Sequence, residues 1–267
     1  MQDRHKNRVQ YFQEQVYTTS KYIMPFIRDV FPVSDQTTVQ EIGCGEGGNL
    51  KPFLEIGCRV TGIDISPSKI DQARLFLDKP EYRNKLRLIA EDIYNIHDPS
   101  VKADLILMRD VIEHIHDQER FMSFLKQFLL PGGMIFIAFP PWYNPFGGHQ
   151  QVCRSKILSR LPYFHLLSTF LYKWILKVSG ESEGTIRGLL EVKETGLSIE
   201  RFERILAKER YKIEKVHHYL INPNYEIKFK LKPRRQSRFI AAIPFIRDFL
   251  TTSSYYMISA NTDLYKS

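Results

Sequence analysis

The short run Val39-Gln40-Glu41-Ile42 reads as a buried strand and breaks into Gly43-Cys44-Gly45-Glu46-Gly47-Gly48, after which a helical pattern runs to about Ile56. Glycine at a strand-to-helix junction lets the backbone turn tightly and leaves no Cβ in the way of a ligand. The next apolar run, Val60 to Ile63, ends in Asp64, 21 residues after Gly43. A carboxylate there can take both hydroxyls of a ribose in short charge-assisted bonds. The bland alternative is a tight turn with a capping acid. A glycine turn after a strand and before a helix, with an acid closing the next strand, predicts a nucleoside-cofactor site on an α/β sheet.

The rest of the chain keeps that rhythm for about a hundred residues. Strands are expected at Leu86 to Ala90, Asp104 to Met108 and Met134 to Phe139, the last stopped by Pro140-Pro141. Ser66-Pro67 opens one helix, as cap and first position. Gln118 to Leu130 forms another, stopped by Pro131-Gly132-Gly133. Strands alternating with helices mean βαβ units and a mostly parallel sheet. Four segments follow: N-terminal helices over 1–35, carrying Phe12, Val16, Tyr22, Phe26 and Ile27, with Pro25 interrupting them or opening the second; a cofactor-binding core over 36–140; a helical cap over 141–210, above the carboxyl ends of the strands; and strands at Tyr211 to Leu220 and Tyr255 to Ala260 within 211–267, which complete the sheet around a basic intervening segment.

Composition narrows the class. A chain of 267 residues, 43% hydrophobic and 25% charged, is one large domain or a domain with a cap. Collagen-like, disulfide-scaffold and disordered classes are excluded. Three cysteines (Cys44, Cys58 and Cys153), with no CxxC pair, fit a reducing compartment. The first residues carry no signal-peptide pattern, and no apolar run is long enough to span a bilayer. A cytoplasmic protein is expected. The formal charge is +8, and Lys228 to Arg247 contains seven basic residues and no acid. That stretch reads as a solvated basic loop, as a contact for an anionic partner such as a phosphate-bearing substrate or the inner face of a membrane, or, least favoured, as a nucleic-acid contact.

Gly43-x-Gly45-x-x-Gly48 satisfies a dinucleotide fingerprint. Counted differently, Glu41-x-Gly43-x-Gly45-x-Gly47 resembles the first motif of the class I S-adenosylmethionine-dependent methyltransferases. Glu91-Asp92-Ile93 follows the third strand, where that family places an acid near the adenine. Asp104 to Met108 and Asp110-Val111-Ile112-Glu113-His114-Ile115 resemble its fourth-strand motif with a trailing Glu-His pair. Leu129-Leu130-Pro131-Gly132-Gly133 resembles the turn before its fifth strand. These motifs, in order, favour S-adenosylmethionine over NAD. The resemblance covers residues 36–140, thins at 211–262 and is absent between.

The resemblance implies a Rossmann-like α/β fold with helices on both faces of a seven-stranded, mostly parallel sheet whose last strand is antiparallel. It implies S-adenosyl-L-methionine as cofactor. Gly43, Cys44, Gly45 and Gly47, with Glu41 of the same motif, would lie against the methionine part. Asp64 would hold the ribose. Asp92 and Ile93 would bracket the adenine, with Ile65 or Met108 as apolar contacts; Met108 reads equally as sheet core. Arg109 and Asp110 would emerge beneath the methyl group, or form a local ion pair.

A sulfonium methyl is already activated, so the protein must align an acceptor, and an acceptor that carries a proton also needs a base. His149 follows Trp142, Tyr143, Phe146 and two glycines just past the fifth strand. These aromatics are expected to line the acceptor pocket, with His149 as base or orienting residue, or in a structural role behind the residues that touch the acceptor. His114, which forms a pair with His116, is the rival base, or a packing residue of its loop. No cluster has structural-zinc spacing, so no metal is expected. Residues 155–178 carry four cations, no acid and a helical apolar pattern, with Pro162 starting or kinking a helix; Phe239 to Phe249 has the same flavour. Both read as packed helices or as a membrane-facing surface. The expected function is methyl transfer to a small or amphiphilic, lipid-linked, quinone-like or natural-product acceptor, on oxygen. The rivals are methylation of protein or nucleic acid, and a binding subunit without activity. No Asn/Asp-Pro-Pro-aromatic motif follows the fourth strand, which disfavours amino-methylation of nucleic acid. Asp64 and Asp92 argue against loss of activity.

Overall fold

The computed structural model describes residues 7–260; residues 1–6 and 261–267, the outer ends of the two terminal segments, lie outside the described residues. Eight strands form one sheet: β1 (Thr38–Ile42), β2 (Arg59–Asp64), β3 (Leu86–Ala90), β4 (Ala103–Arg109), β5 (Leu129–Phe139), β6 (Tyr211–Ile221), β7 (Arg234–Arg235) and β8 (Ser253–Ala260). Their order is β3-β2-β1-β4-β5-β8-β6-β7. The strands β1 to β5 pair in parallel. β8 lies antiparallel between β5 and β6. The expectation of seven strands is corrected by one: the basic segment adds β7, which pairs with Tyr219 and Ile221 of β6. Two exposed arginines on that edge discourage further strand addition.

The strands are buried because successive side chains alternate between two covered faces. On β4, Ile106 and Met108 join one core with Phe121, Phe139, Phe202 and Tyr256. Leu105 and Leu107 join the other with Phe12, Ile27, Leu50, Phe53, Phe136 and Tyr255. The first face is covered by α5 (Gln118–Leu125) and α8 (Ile199–Lys208), the second by α1 (Arg8–Thr18), α2 (Met24–Arg28), α3 (Lys51–Ile56) and α4 (Pro67–Phe76). Between α1 and α2 the helix continues through a π turn at Thr19–Ile23, so Pro25 opens α2 without breaking the run.

The cap has its own small core of Cys153, Leu158, Phe164, Tyr172, Leu176, Ile186 and Leu189. It comprises short turns over 150–166 and two helices, α6 (Thr169–Val178) and α7 (Glu183–Thr195). The helical pattern over 155–178 becomes a helix only after Ser168, whose hydroxyl caps it. The helix α8, grouped with the cap on sequence, buries Phe202, Ile205 and Leu206 in the sheet's first core. Three short helices complete the described chain: α9 (Asn224–Phe229), α10 (Arg238–Ala241) and α11 (Ile246–Phe249). Pro131-Gly132-Gly133 is a further difference: it lies inside β5, at a register shift against β4, and α5 ends at Leu125.

Candidate active site

The glycine turn follows the carboxyl end of β1 and is tied to β2 by the amides of Gly43 and Cys44, which donate to the Ile63 carbonyl at 2.8 and 3.0 Å. Gly43 and Gly45 have φ of +72° and +53°, values that side-chain-bearing residues adopt only with strain. Asp64 is buried at the end of β2. Its Oδ2 accepts the Gly45 amide and its Oδ1 the Ser66 amide, each at 2.9 Å, and Lys69 lies 3.9 Å away. Ser66 stands at the N-cap position as expected, but its side chain makes no capping bond.

A cavity of about 220 Å³ opens beside this turn, lined by Gly43, Gly45, Glu46, Lys69, Arg109 and Asp110 and covered by Arg8, Tyr11 and Gln15 of α1. The helix α1 was not foreseen as a wall of the site. It presses on the turn at Gly48, where an added Cβ would come within 2.7 Å of Gln15 and the Phe12 carbonyl. Arg8 pairs with Glu46 at 2.8 Å. Burial drives the Tyr11 phenol up to about 12, with Arg109 opposing.

Arg109 lies at the end of β4, almost fully buried, with Asp110 at 3.6 Å. Burial works against its charge, but Asp110, Tyr255, Tyr11 and Glu41 outweigh it and hold the guanidinium above its ordinary value. Asn49 organises the groups beneath. Its Oδ1 accepts from Arg109 at 3.1 Å and from Thr19 at 2.8 Å, and its Nδ2 donates to Glu41 at 2.6 Å. Glu41 is fully buried; burial raises its carboxyl to about 8 against the Asn49 bond and Arg109. Glu41 lines a second, much smaller space with Thr19, Asn49 and Arg109 rather than the cavity beside the turn, so its position is beneath the cofactor turn.

Several of the expected cofactor contacts are packing residues in this structure. Met108 is fully buried in the sheet. The Cys44 side chain points at Gly62, where a Cβ would meet its sulfur at 2.9 Å, and Gly47 packs on Leu77 and Ala73. Ile93 is buried in the first core. Asp92 accepts the Tyr94 amide at 3.0 Å, and Ile65 is 72% exposed at the end of β2, a free apolar surface.

Past β4, the turn Ile112–His114 buries Glu113, and the loop after β5 brings His149 to it. His149 Nε2 lies 3.9 Å from Glu113 Oε1, and the rings of His114 and His149 are 5.1 Å apart. Both Glu113 carboxylate oxygens are buried without a hydrogen-bond partner. Burial, reinforced by Asp110, raises the Glu113 carboxyl well above the usual range. Burial and the neighbouring His114 hold His149 down to about 4. Both Asp110 and His149 have φ of +55°. Non-glycine residues in that region concentrate at functional sites. Gly148 permits the approach, because a Cβ there would fall 2.1 Å from His165. Glu113 was missed on sequence; its place beside His114 was visible, but its burial was not.

The aromatics before His149 separate. Trp142 packs edge-on against His165 at 4.6 Å, and its carbonyl bonds the His165 ring nitrogen at 2.7 Å. Lys193 crosses its face at 5.5 Å. Trp142 thus fastens the cap to the core instead of lining a pocket. Tyr143 is exposed and stacks on Phe249 at 5.3 Å. Phe146 is half-buried, its amide held by Asn144 at 2.8 Å. His116 reaches Glu191 of α7 at 3.5 Å, away from His149.

Comparison with known proteins agrees with this architecture. Residues 40–137 match the methyltransferase domain family. Ubiquinone biosynthesis O-methyltransferase from Rhodopseudomonas palustris is 36% identical over 102 residues, covering 37% of this chain and 38% of that protein. The same enzyme from Bartonella tribocorum is 32% identical over 127 residues, covering 46% and 49%. The chain therefore matches less than half the length of these curated relatives. The plantazolicin methyltransferase BpumL, solved with SAH, superposes with a TM-score of 0.53 at 16% identity, covering 97% of this chain and 88% of that one. Geranyl diphosphate C-methyltransferase from Streptomyces coelicolor, solved with Mg2+, geranyl diphosphate and S-adenosyl-L-homocysteine, gives 0.55 at 14% identity, covering 90% and 77%. With the β3-β2-β1-β4-β5 order and the glycine turn on β1, residues 40–137 are a methyltransferase domain, and the fold around them is that of the class I S-adenosylmethionine-dependent methyltransferases.

Proposed function

We propose that this protein transfers a methyl group from S-adenosylmethionine to a hydroxyl of a small, amphiphilic acceptor. The observation that carries the reading is the cavity between the glycine turn and Arg109, roofed by α1, with Asp64 holding the turn through the Gly45 amide. The residues present fit the cofactor. Asp64, already oriented by the Gly45 amide, keeps lone pairs for a ribose. Asp92 follows β3 on the adenine side, while Ile93 beside it packs into the core. Arg109 and Lys69 offer positive charge to the methionine carboxylate, and Gly43 and Gly45 let it approach the backbone. Bound there, S-adenosylmethionine supplies a sulfonium methyl group that needs alignment more than activation. Asp110 lines this cavity and lies close enough to His114 and His149 to act on both electrostatically, and we assign the three to the acceptor.

Oxygen as the acceptor atom is supported by the relatives' description as O-methyltransferases. An amphiphilic acceptor, met at the cytoplasmic face of a membrane, is supported by the surface around the cap. Phe170, Trp174, Phe239 and Phe245 are each more than half exposed. Tyr163, whose hydroxyl donates to the Phe249 carbonyl at 3.2 Å, joins the cap loop to α11. Lys173, Lys177 and Arg238 lie among these residues, as anionic lipid would require. Among the described residues no helix is long and apolar enough to cross a membrane.

The test is mass spectrometry of a lipid-containing metabolite extract incubated with the chain and methyl-labelled S-adenosylmethionine, together with calorimetry against S-adenosylhomocysteine and NAD. Labelled product bearing a methoxy group is expected, with S-adenosylhomocysteine bound and NAD not. NAD binding in its place would overturn the cofactor assignment.

A further inference from the structure

A carboxylate buried from water with neither oxygen hydrogen-bonded is costly. Glu113 is 3% exposed, and both of its oxygens lack a partner. What faces them is a pair of imidazoles: one ligand-type atom each from Glu113, His114 and His149 lies within 4.8 Å of the other two. The groups come from two separate segments, the turn after β4 and the loop after β5. The fold holds them together deliberately. The Thr195 hydroxyl bonds the Glu113 carbonyl, Gln150 ties its loop to the Pro145 and Leu161 carbonyls at 3.1 and 3.2 Å, and His149 takes a strained φ of +55°.

We propose that Glu113, His114 and His149 form a binding site for one divalent transition-metal cation at the acceptor side of the cavity. One carboxylate and two imidazoles are a donor set that zinc and its first-row neighbours accept, and three protein ligands leave a coordination position for an outside oxygen. Ligand atoms around a tetrahedral ion at about 2.1 Å stand about 3.4 Å apart, so His149 and Glu113, 3.9 Å apart, need close only slightly as the site fills. The ion gives the orphaned carboxylate its counter-charge, and Asp110 adds negative charge beside it.

The inference rests on the methyl-transfer reading for its role. An acceptor hydroxyl bound at the open position loses its proton to water at a lower pH than it would when free. Its oxygen lone pair then forms the C–O bond while the cofactor's S–C bond breaks, the bonding pair leaving with sulfur as a neutral thioether. His149 in this arrangement is a ligand that orients the acceptor. The expectation of no metal came from sequence spacing, which sees ligand pairs within one segment and not a pair completed from another.

The experiment uses the full chain, stripped with chelator and dialysed. Calorimetry with Zn2+ and visible absorption with Co2+ read binding without any turnover. One ion per chain is expected, with a Co2+ spectrum of low-symmetry, nitrogen-containing coordination. Glu113→Gln and His149→Gln should each weaken the ion at least 100-fold, with unchanged circular dichroism. His149→Gln changes a side chain that is 28% exposed, in the loop after β5, and keeps the test usable if Glu113→Gln fails to fold. No one-to-one binding in the wild type, or binding that survives both substitutions, overturns the site. S-adenosylhomocysteine titration of the stripped chain separates the two readings: an ion bound without it would leave the metal site standing and remove the methyl-transfer role.

Discussion

Asp64 and Gly45 are joined by a 2.9 Å hydrogen bond from the Gly45 amide to Oδ2, so the group we assign to the ribose also fastens the glycine turn. Losing a charged hydrogen-bonding group from a binding site costs about 2 to 4 kcal/mol. Asp64→Ala should weaken S-adenosylhomocysteine binding by about 30-fold or more. Calorimetry on a variant with native circular dichroism checks this. An unchanged dissociation constant would take the ribose role away from Asp64.

Two glycines of the same turn should respond differently to alanine. Gly43 has φ +72° and a Cβ there would lie 2.4 Å from Val111 Cγ2; Gly45 has φ +53° and nothing within 4 Å. The left-handed backbone costs each about 1 to 2 kcal/mol. Overpacking adds about 1 to 3 kcal/mol at Gly43 alone. Urea denaturation should therefore rank Gly43→Ala well below Gly45→Ala. Gly45→Ala should nonetheless lose cofactor affinity, because Gly45 lines the cavity. Equal stability of the two variants would contradict the packing at Val111.

Much of this core was legible, and the reasons are local. Ile42, Ile63 and Met108 sit in short apolar runs between turn residues, so strands could be placed without tertiary information. The glycine turn needs positive φ, which glycine advertises. What was not legible depends on contacts between distant segments. Met108 and Ile65 are both apolar at strand ends, yet one is core and the other is solvent-facing. Trp142 reads as a pocket aromatic until His165 and Lys193 are seen on either side of it. Glu113 looks like any acid in a loop; only the packing of Thr195 and His149 against it buries it. The helix α8 follows the cap in sequence, but its strongly amphipathic pattern was satisfied by the sheet.

Asp248 predicts a pH signature of stability. It is fully buried in α11, with Oδ1 unpartnered and Oδ2 accepting the Ile199 amide at 3.4 Å. Burial first, then Glu200, raises its carboxyl to about 7 despite the Ile199 amide and Arg247; Glu203 adds to the rise. Between its ordinary value near 4 and about 7, the folded state binds the proton more tightly than the unfolded state. Stability should therefore fall as pH rises through that window and level off above it. Half-buried His217 and buried His218, held down to about 4 by burial and nearby Arg235, Lys215 and Arg247, act in the opposite sense below their ordinary value. The Asp248 contribution is thus the difference between the wild-type and Asp248→Asn curves. The melting temperature of Asp248→Asn should gain on the wild type from pH 4 to 7. Parallel curves would show that Asp248 ionises normally.

The membrane-facing reading predicts where lipid is felt first. On α6, Phe170, Trp174 and Val178 recur every fourth residue and are 83%, 55% and 68% exposed, while Tyr172 and Leu176 on the opposite side are fully buried. An apolar stripe on the outward face of a helix, flanked by Lys173 and Lys177, is the pattern of an interfacial helix. The chain has two tryptophans, and Trp142 is buried against the cap, so a change in emission on adding vesicles reports Trp174. Vesicles containing phosphatidylglycerol should shift that emission to the blue, and high salt should reverse the shift. A lysine near an anionic surface is worth about 1 kcal/mol, so Lys173→Glu with Lys177→Glu should lower affinity for anionic vesicles by well over tenfold. Phe170→Ser should weaken binding whatever the lipid charge, because it removes buried apolar area. Emission unmoved by millimolar anionic lipid would return α6 to a solvated face of the cap, and the acceptor would then have to reach His149 from water.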